Sequence, residues 1–418
     1  MTTLTAPVPP TPPAPLREDA TVIGLVGLAH SISHFSQLLL APLFPWLKDE
    51  FAVSYAQLGF LLTIFFVVSC VVQALSGFWV DRHGPRPVLY AGLALLGAAA
   101  LGFAASTSYT MLALFSVVAG IGNGVFHPVD YTLLNRKIGK ARLGHAYSVH
   151  GITGSLGWAL APAMLVPLTL AFSWRVALVC AAALAFAVLL VLLWQHARLT
   201  VAPAAPAAAK AQAASQGAGA GSLDFLKVPA VWMCFGFFFF YAGVLSIIQS
   251  FAPEAARQLH GVPAHLAAVC ISIYMVCSAS GMVLGGFLAA NAERCERVVA
   301  VGFGIAAVLA LGVALLPLPA LAVPVLFGVI GFASGIAGPS RDLLVKRSTP
   351  ENASGRVYGV VYAGLDIGQA VVPLFIGRLM DLGQFSAVWL ALALLQGVLI
   401  ASAFNVGRVR RPVPAVAA

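Results

Sequence analysis

"GIGNGVFHPVDYTLLNR", residues 120–136, and "GFASGIAGPSRDLLVKR", residues 331–347, lie 211 residues apart and share Gly120/Gly331, Gly124/Gly335, Pro128/Pro339 and Arg136/Arg347 in register. The same offset pairs Ala41-Pro42 with Ala252-Pro253, and Gly144, Tyr147, Gly157 and Pro162 with Gly355, Tyr358, Gly368 and Pro373. Glycine and proline are common in this chain, so one coincidence means little. A constant register over three separated segments points to one unit used twice.

The unit is built for lipid. Of the 418 residues, 60% are hydrophobic and 9% charged, against roughly a quarter charged in an average soluble domain. Apolar stretches near the roughly 20 residues that cross a bilayer as a helix recur twelve times, beginning near residues 21, 55, 86, 109, 144, 174, 228, 264, 297, 319, 355 and 385. A closed barrel needs alternating apolar and polar positions, whereas "VLLVLLW" is apolar on every face. The expectation is an all-α membrane protein with twelve transmembrane helices in two pseudo-symmetric six-helix bundles.

Residues 21–196 and 227–406 form the two bundles in this reading. Between them, 197–226 is rich in Ala, Pro and Gly and reads as a flexible cytoplasmic linker. Residues 1–20 lack the charged start and cleavage site of a signal peptide and read as a disordered cytoplasmic tail, and 407–418 as a basic one.

Orientation follows from the basic residues, because cytoplasmic loops carry the excess of Lys and Arg. With both termini inside, 19 of the 23 fall on the cytoplasmic side, Arg341 among them, and Lys48, Arg175, Arg257 and Arg378 outside. That split accounts for the net charge of +9 without nucleic acid. The expected location is a bacterial-type inner membrane. Six cysteines without C-x-x-C spacing read as small apolar residues.

Against this background the polar residues stand out, since an ionisable group in the bilayer core costs several kcal/mol and usually has a task. Counting from Arg136, His127 lies roughly 13 Å deep and Asp130 roughly 9 Å. Gly120, Asn123, His127 and Asp130 recur at spacings of three and four, so they share a helix face, which should line the cavity. Pro128 should kink this helix and free a carbonyl. Three other spans bring polar groups to similar depth: His30, Ser33, His34 and Gln37 in the first, His150 in the fifth, Asp366 and Gln369 in the eleventh. A midplane histidine suits proton coupling because its ordinary pKa lies near neutrality.

"GFWVDRHGPRPVL", residues 77–89, resembles the G-x-x-x-D-R-x-G-[RK] motif of the major facilitator superfamily, with Pro85 before the second basic residue. The resemblance implies alternating access around a midplane site between the bundles, a monomer, and a cytoplasmic gate made by Asp81, Arg82 and Arg86. Gly154, Gly157 and Pro162 in "GSLGWALAPAM" partly match the Gly-Pro motif of its antiporter branch, although Ala161 replaces a Gly. Ser116 stands where many proton-coupled exporters of the family carry Arg, which leaves coupling to the histidines and Asp366. "HSISH" leading to "APLFPWLKDEF", together with "GVFHP", is most similar to the fosmidomycin-resistance-type efflux proteins, on His30, Pro42, Pro45, His127 and Pro128.

The expected function is therefore secondary active transport of a small polar or anionic compound, or a drug, as proton-coupled efflux, with substrate and protons as partners. A proton symporter importing a small organic acid is the rival within the same class. An intramembrane metal site built from His30, His34, His127, His150 and Asp130 is the minor alternative, so no metal or other cofactor is expected. Without a G-x-x-x-x-G-K-[ST] loop or a recognisable nucleophile elbow, an ATP-driven pump or an enzyme is not expected. Pro162, Pro339 and Pro373 are expected to serve helix bending and packing.

Overall fold

The computed structural model describes residues 16–139, 142–201, 227, 229–289, 295–348 and 355–408. Among them are twelve helical spans long and apolar enough to cross a membrane. Both halves open on an interrupted span. In the first, α1 (Leu16–Gln37) gives way to a 3-10 turn (Ala41–Leu43) and α2 (Phe44–Phe51); in the second, α9 (Pro229–Ser250) gives way to α10 (Ala252–His260). The interruptions fall at Pro42 and Pro253, each in the first turn of the element it opens, where a missing N–H is tolerated. These are the paired Ala-Pro sites of the repeat.

The rest of the first half comprises α3 (Tyr55–His83), α4 (Pro85–Ala105), α5 (Tyr109–Asn123), α6 (Phe126–Lys137), α7 (Leu143–Ala171) and α8 (Trp174–Trp194). The second half continues as α11 (Ala264–Ala289), α12 (Cys295–Leu315), α13 (Ala322–Ser348), α14 (Gly355–Asp381) and α15 (Phe385–Arg408). The fourth span, expected to bend at Pro128, is divided into α5 and α6 at Gly124-Val125 instead. The physical cause is still Pro128: a proline ring clashes with the carbonyl four residues earlier, which is that of Gly124. Its counterpart α13 runs uninterrupted through Pro339, as α7 does through Pro162 and α14 through Pro373.

Repeat glycines are the places where backbones touch. A Cβ on Gly120 would lie 2.6 Å from the Phe65 carbonyl and one on Gly124 2.5 Å from that of Ser69, both on α3. Gly331 and Gly335 meet the carbonyls of Tyr274 and Ser278 on α11 in the same way, too closely for any side chain. Small residues at helix contacts let membrane helices pack backbone to backbone, which is why the register of these glycines survives in both halves.

The halves meet along α3 with α14 and along α7 with α11. Toward the end remote from Leu16 and Arg408, Gly59 sits under the Pro373 carbonyl and Gly377 under that of Tyr55. There the Asp381 carboxylate accepts from the backbone N–H groups of Tyr55 (2.7 Å) and Ala56 (3.0 Å), so the second half caps the first turn of α3. Tyr55 also donates its hydroxyl to Glu254, at 3.3 Å. Thr63 bonds the Ala370 carbonyl, and Ser272 the Ala159 carbonyl. Beside this contact Arg257 grips Glu254 through two nitrogens at 2.6 and 2.7 Å, and that hydrogen bonding raises its already high pKa.

Several expected boundaries shift. Helix α1 begins at Leu16, inside the stretch read as a tail, because Asp19 is buried and paired with Arg142 at 2.8 Å. Helix α15 extends to Arg408. Residues 1–15, 202–226 and 409–418, which carry most of the expected tails and linker, lie outside the described residues.

Candidate functional site

The site forms where α1, α3, α6 and α7 converge. Helical spacing puts His30, Ser33, His34 and Gln37 on successive turns of α1, and the partners come from far away in sequence. Asp130 of α6, fully buried, receives His30 Nδ1 at 2.9 Å and His150 Nε2 at 3.1 Å on one oxygen, Oδ2. The His30 and His150 rings stack at 3.5 Å between centroids, and the His34 ring lies 4.4 Å from His30 and 4.2 Å from Trp158. His127 Nδ1 lies 2.9 Å from Gln73 Oε1, while the Gln73 amide donates across the bundle boundary to Asp366 at 3.3 Å.

A second polar layer sits deeper. Asn123 accepts from Ser33 (2.8 Å) and Gln37 (3.4 Å) and donates to Ser69 (2.8 Å); Trp158 donates to Gln37 at 2.9 Å. A buried amide is costly unless bonded, and this network meets that requirement. Gly154 makes room for the histidines: a Cβ there would come 2.8 Å from the His34 ring and 3.1 Å from His30 Nε2. Gly157 abuts the Ser31 carbonyl and holds α7 against α1.

The sequence-derived residues largely gather here. His30, His34, Gln37, Asn123, His127, Asp130 and His150 form one cluster, and Asp366 joins it through Gln73. Gln369 lies apart, bonded to Gln249 at 3.5 Å in the second half. Of the Gly120/Asn123/His127/Asp130 face, Asn123 and Asp130 turn into the bundle against α1 and α3, 8% and 0% exposed, while His127 is half-buried. Bonding needs of the amide and carboxylate draw the face inward.

At the expected gate, Arg86 stays within its own half, donating to Thr200 Oγ1 at 2.7 Å, and Arg82 is exposed. Gly84, with φ +83°, terminates α3 in a conformation suited to glycine. The Asp81 side chain lies outside the described part of the structure.

Three residues were missed. Gln73 and Ser69 looked like isolated polar positions in an apolar run, and only the partner helices reveal them. Arg341, counted with the cytoplasmic anchors, is buried (8% exposed) within the tenth span, its guanidinium 3.9 Å from the Tyr241 ring. Here a signal existed: the repeat offset maps Asp130 onto Arg341 and His30 onto Tyr241. The two halves thus place an acid–histidine pair and an arginine–aromatic pair at equivalent positions.

Two six-helix bundles, with a buried polar site close to their boundary, define the secondary-transporter class of membrane protein. A family profile described as Major Facilitator Superfamily matches residues 26–373, and the chain belongs to that family. Membership points to transport of small molecules rather than to an enzyme. It is 26% identical over 146 residues to the fosmidomycin resistance protein of Escherichia coli, covering 35% of this chain and 36% of that protein. To the probable sulfoacetate transporter SauU of Cupriavidus necator it is 26% identical over 160 residues, 38% of this chain and 37% of the relative. The matched stretches span well under half of these relatives. A bacterial homolog of the human lysosomal transporter Spinster, solved inward-facing and occupied, has the same fold, with a TM-score of 0.75 at 17% identity over 95% of this chain and 99% of that one.

Proposed function

We propose that this protein exports a small polar or anionic compound, in exchange for protons, by alternating access across a bacterial-type inner membrane, as a monomer with both termini in the cytoplasm. The observation that carries the coupling is the hydrogen-bonded line Asp366–Gln73–His127, which joins the second half to the histidine cluster. Rocking of the halves would break the Gln73–Asp366 contact and free Gln73 to release His127. Proton occupancy of the cluster and the conformation of the transporter then bias each other, as linkage requires. Asp130, held by two imidazoles, is the carboxylate on which a proton would be exchanged.

Anion preference is supported by Arg341, a cation buried inside the second bundle at the position that the repeat pairs with Asp130. Likeness to the fosmidomycin resistance protein supports efflux, and likeness to the sulfoacetate transporter supports an organic anion. Arg341 also suits a second reading, symport of an organic acid into the cell.

Proteoliposomes with a pH-sensitive dye inside separate the two. Antiport predicts that adding substrate on one side drives protons toward that side; symport predicts the opposite. Asp130→Asn should retain substrate exchange at equilibrium yet lose accumulation driven by a pH gradient. Full accumulation by this variant would remove Asp130 from the coupling scheme.

A further inference from the structure

We infer that His30, His34 and His127 form a binding site for one divalent d-block cation of the zinc class, within the first bundle. The inference goes beyond the transport reading and does not depend on it. One ring nitrogen from each residue lies within 4.8 Å of the others, and hydrogen bonding decides which nitrogens carry a lone pair.

A carboxylate only accepts, so His30 donates from Nδ1 to Asp130 and carries its lone pair on Nε2. Gln73 directs its amide nitrogen at the Asp366 carboxylate, so its Oε1 is left to accept from His127 Nδ1, and the His127 lone pair is on Nε2 as well. His34 has no hydrogen-bond partner on either ring nitrogen, although both are shielded from solvent. Three imidazoles thus converge, two with their tautomers fixed by oxygens behind them, which is the usual outer support of a metal-binding histidine.

Other ligands fit less well. Calcium and magnesium require oxygen donors, whereas this set is all nitrogen, the preference of zinc, nickel and copper. Metal–nitrogen bonds of about 2.0–2.1 Å in a tetrahedron put the nitrogens about 3.4 Å apart, so side-chain movements on the order of 1 Å close the site. Gly154 lets the His34 and His30 rings lie side by side against the α7 backbone. Behind His30, Asp130 has a second carboxylate oxygen that is buried and without a partner, and a nearby cation would offset this charge. His34 and His127 remain partly exposed, and a three-histidine set leaves the fourth position of a tetrahedral metal to water or another ligand.

The test uses the full chain in detergent with any polyhistidine tag cleaved off. Titration with Co2+ should give the intense visible bands of a four-coordinate nitrogen site, and these should disappear on adding Zn2+. Equilibrium dialysis should find one zinc per chain. His34→Ala and His127→Ala should each abolish the cobalt bands, while Gln73→Ala, which removes only the support behind His127, should lower zinc affinity about 10–100-fold. Exposed His265→Ala should leave binding unchanged. A six-coordinate cobalt spectrum, or zinc binding that is indifferent to His34→Ala and His127→Ala in melting-verified folded protein, would overturn the assignment. Should His34→Ala fail to fold, the His127 and Gln73 variants decide it.

Discussion

Asp381→Ala should open the end of the protein remote from Leu16 and Arg408. This carboxylate sits in the last turn of α14, where the helix's own dipole disfavours negative charge, and it is held there by the free N–H groups at the start of α3. Two charge-assisted hydrogen bonds, at 2.7 and 3.0 Å, cross the boundary between the halves. The residue is half-buried, so each bond contributes about 1 kcal/mol net. The interaction with the α3 dipole adds about 0.5 kcal/mol, and water solvating the freed N–H groups takes back a similar amount. About 2 kcal/mol remains, a factor of about 30 in the ratio of latched to opened states. In a cysteine-free background, spin labels at Thr107 and Leu321, one in each half at that end, would report the separation by pulsed electron resonance. The variant should gain a longer-distance population, and Asp381→Asn, which keeps one acceptor but no charge, should fall between. Distance distributions that superimpose on the parent's would refute the latch.

Other perturbations probe the site. Gly154→Ala places a methyl 2.8 Å from the His34 ring; overpacking of this kind costs about 1–3 kcal/mol, so the melting temperature should fall and transport should weaken, with an unchanged melting curve counting against the close fit. Gly157→Val should be more damaging, because its side chain would meet the rigid Ser31 backbone rather than a movable ring; expression and monodispersity in detergent are the readout. Asn123→Ala strands Ser33 and Ser69 in the bundle and should cost about 2–6 kcal/mol at about 1–3 per unsatisfied group, whereas Asn123→Asp, which keeps the acceptor, should fold and alter transport. Gln73→Leu should leave equilibrium exchange measurable but uncouple it from the pH gradient; intact gradient-driven accumulation would show that the bridge between the halves is dispensable.

Some of this architecture was readable because its causes are local. Whether a segment crosses a bilayer depends on the summed hydrophobicity of about twenty consecutive residues, so the number and approximate limits of the spans follow from composition along the chain. The repeat was readable because backbone contact tolerates only small residues, and the Gly120/Gly331 and Gly124/Gly335 register records that constraint twice. His30, His34, His127, His150 and Asp130 could be nominated because ionisable groups are rare in lipid.

Their partnerships were a different matter. His30 and Asp130 are 100 residues apart and Gln73 and Asp366 293 apart, and no periodicity along one helix specifies which face of another it meets. The same limit hid Arg341, whose hydropathy resembles that of a loop anchor and whose burial depends on Tyr241 and the helices around it. It hid Asp381 as well, since a carboxylate at a helix end looks like ordinary surface until another helix presents its N–H groups. Sequence alone determined the twelve spans, the doubling and the polar residue types, because these depend on transfer free energies summed over short stretches. Only tertiary structure decided which polar groups pair and which face turns inward, because those choices minimise unsatisfied hydrogen bonds over the whole packed assembly.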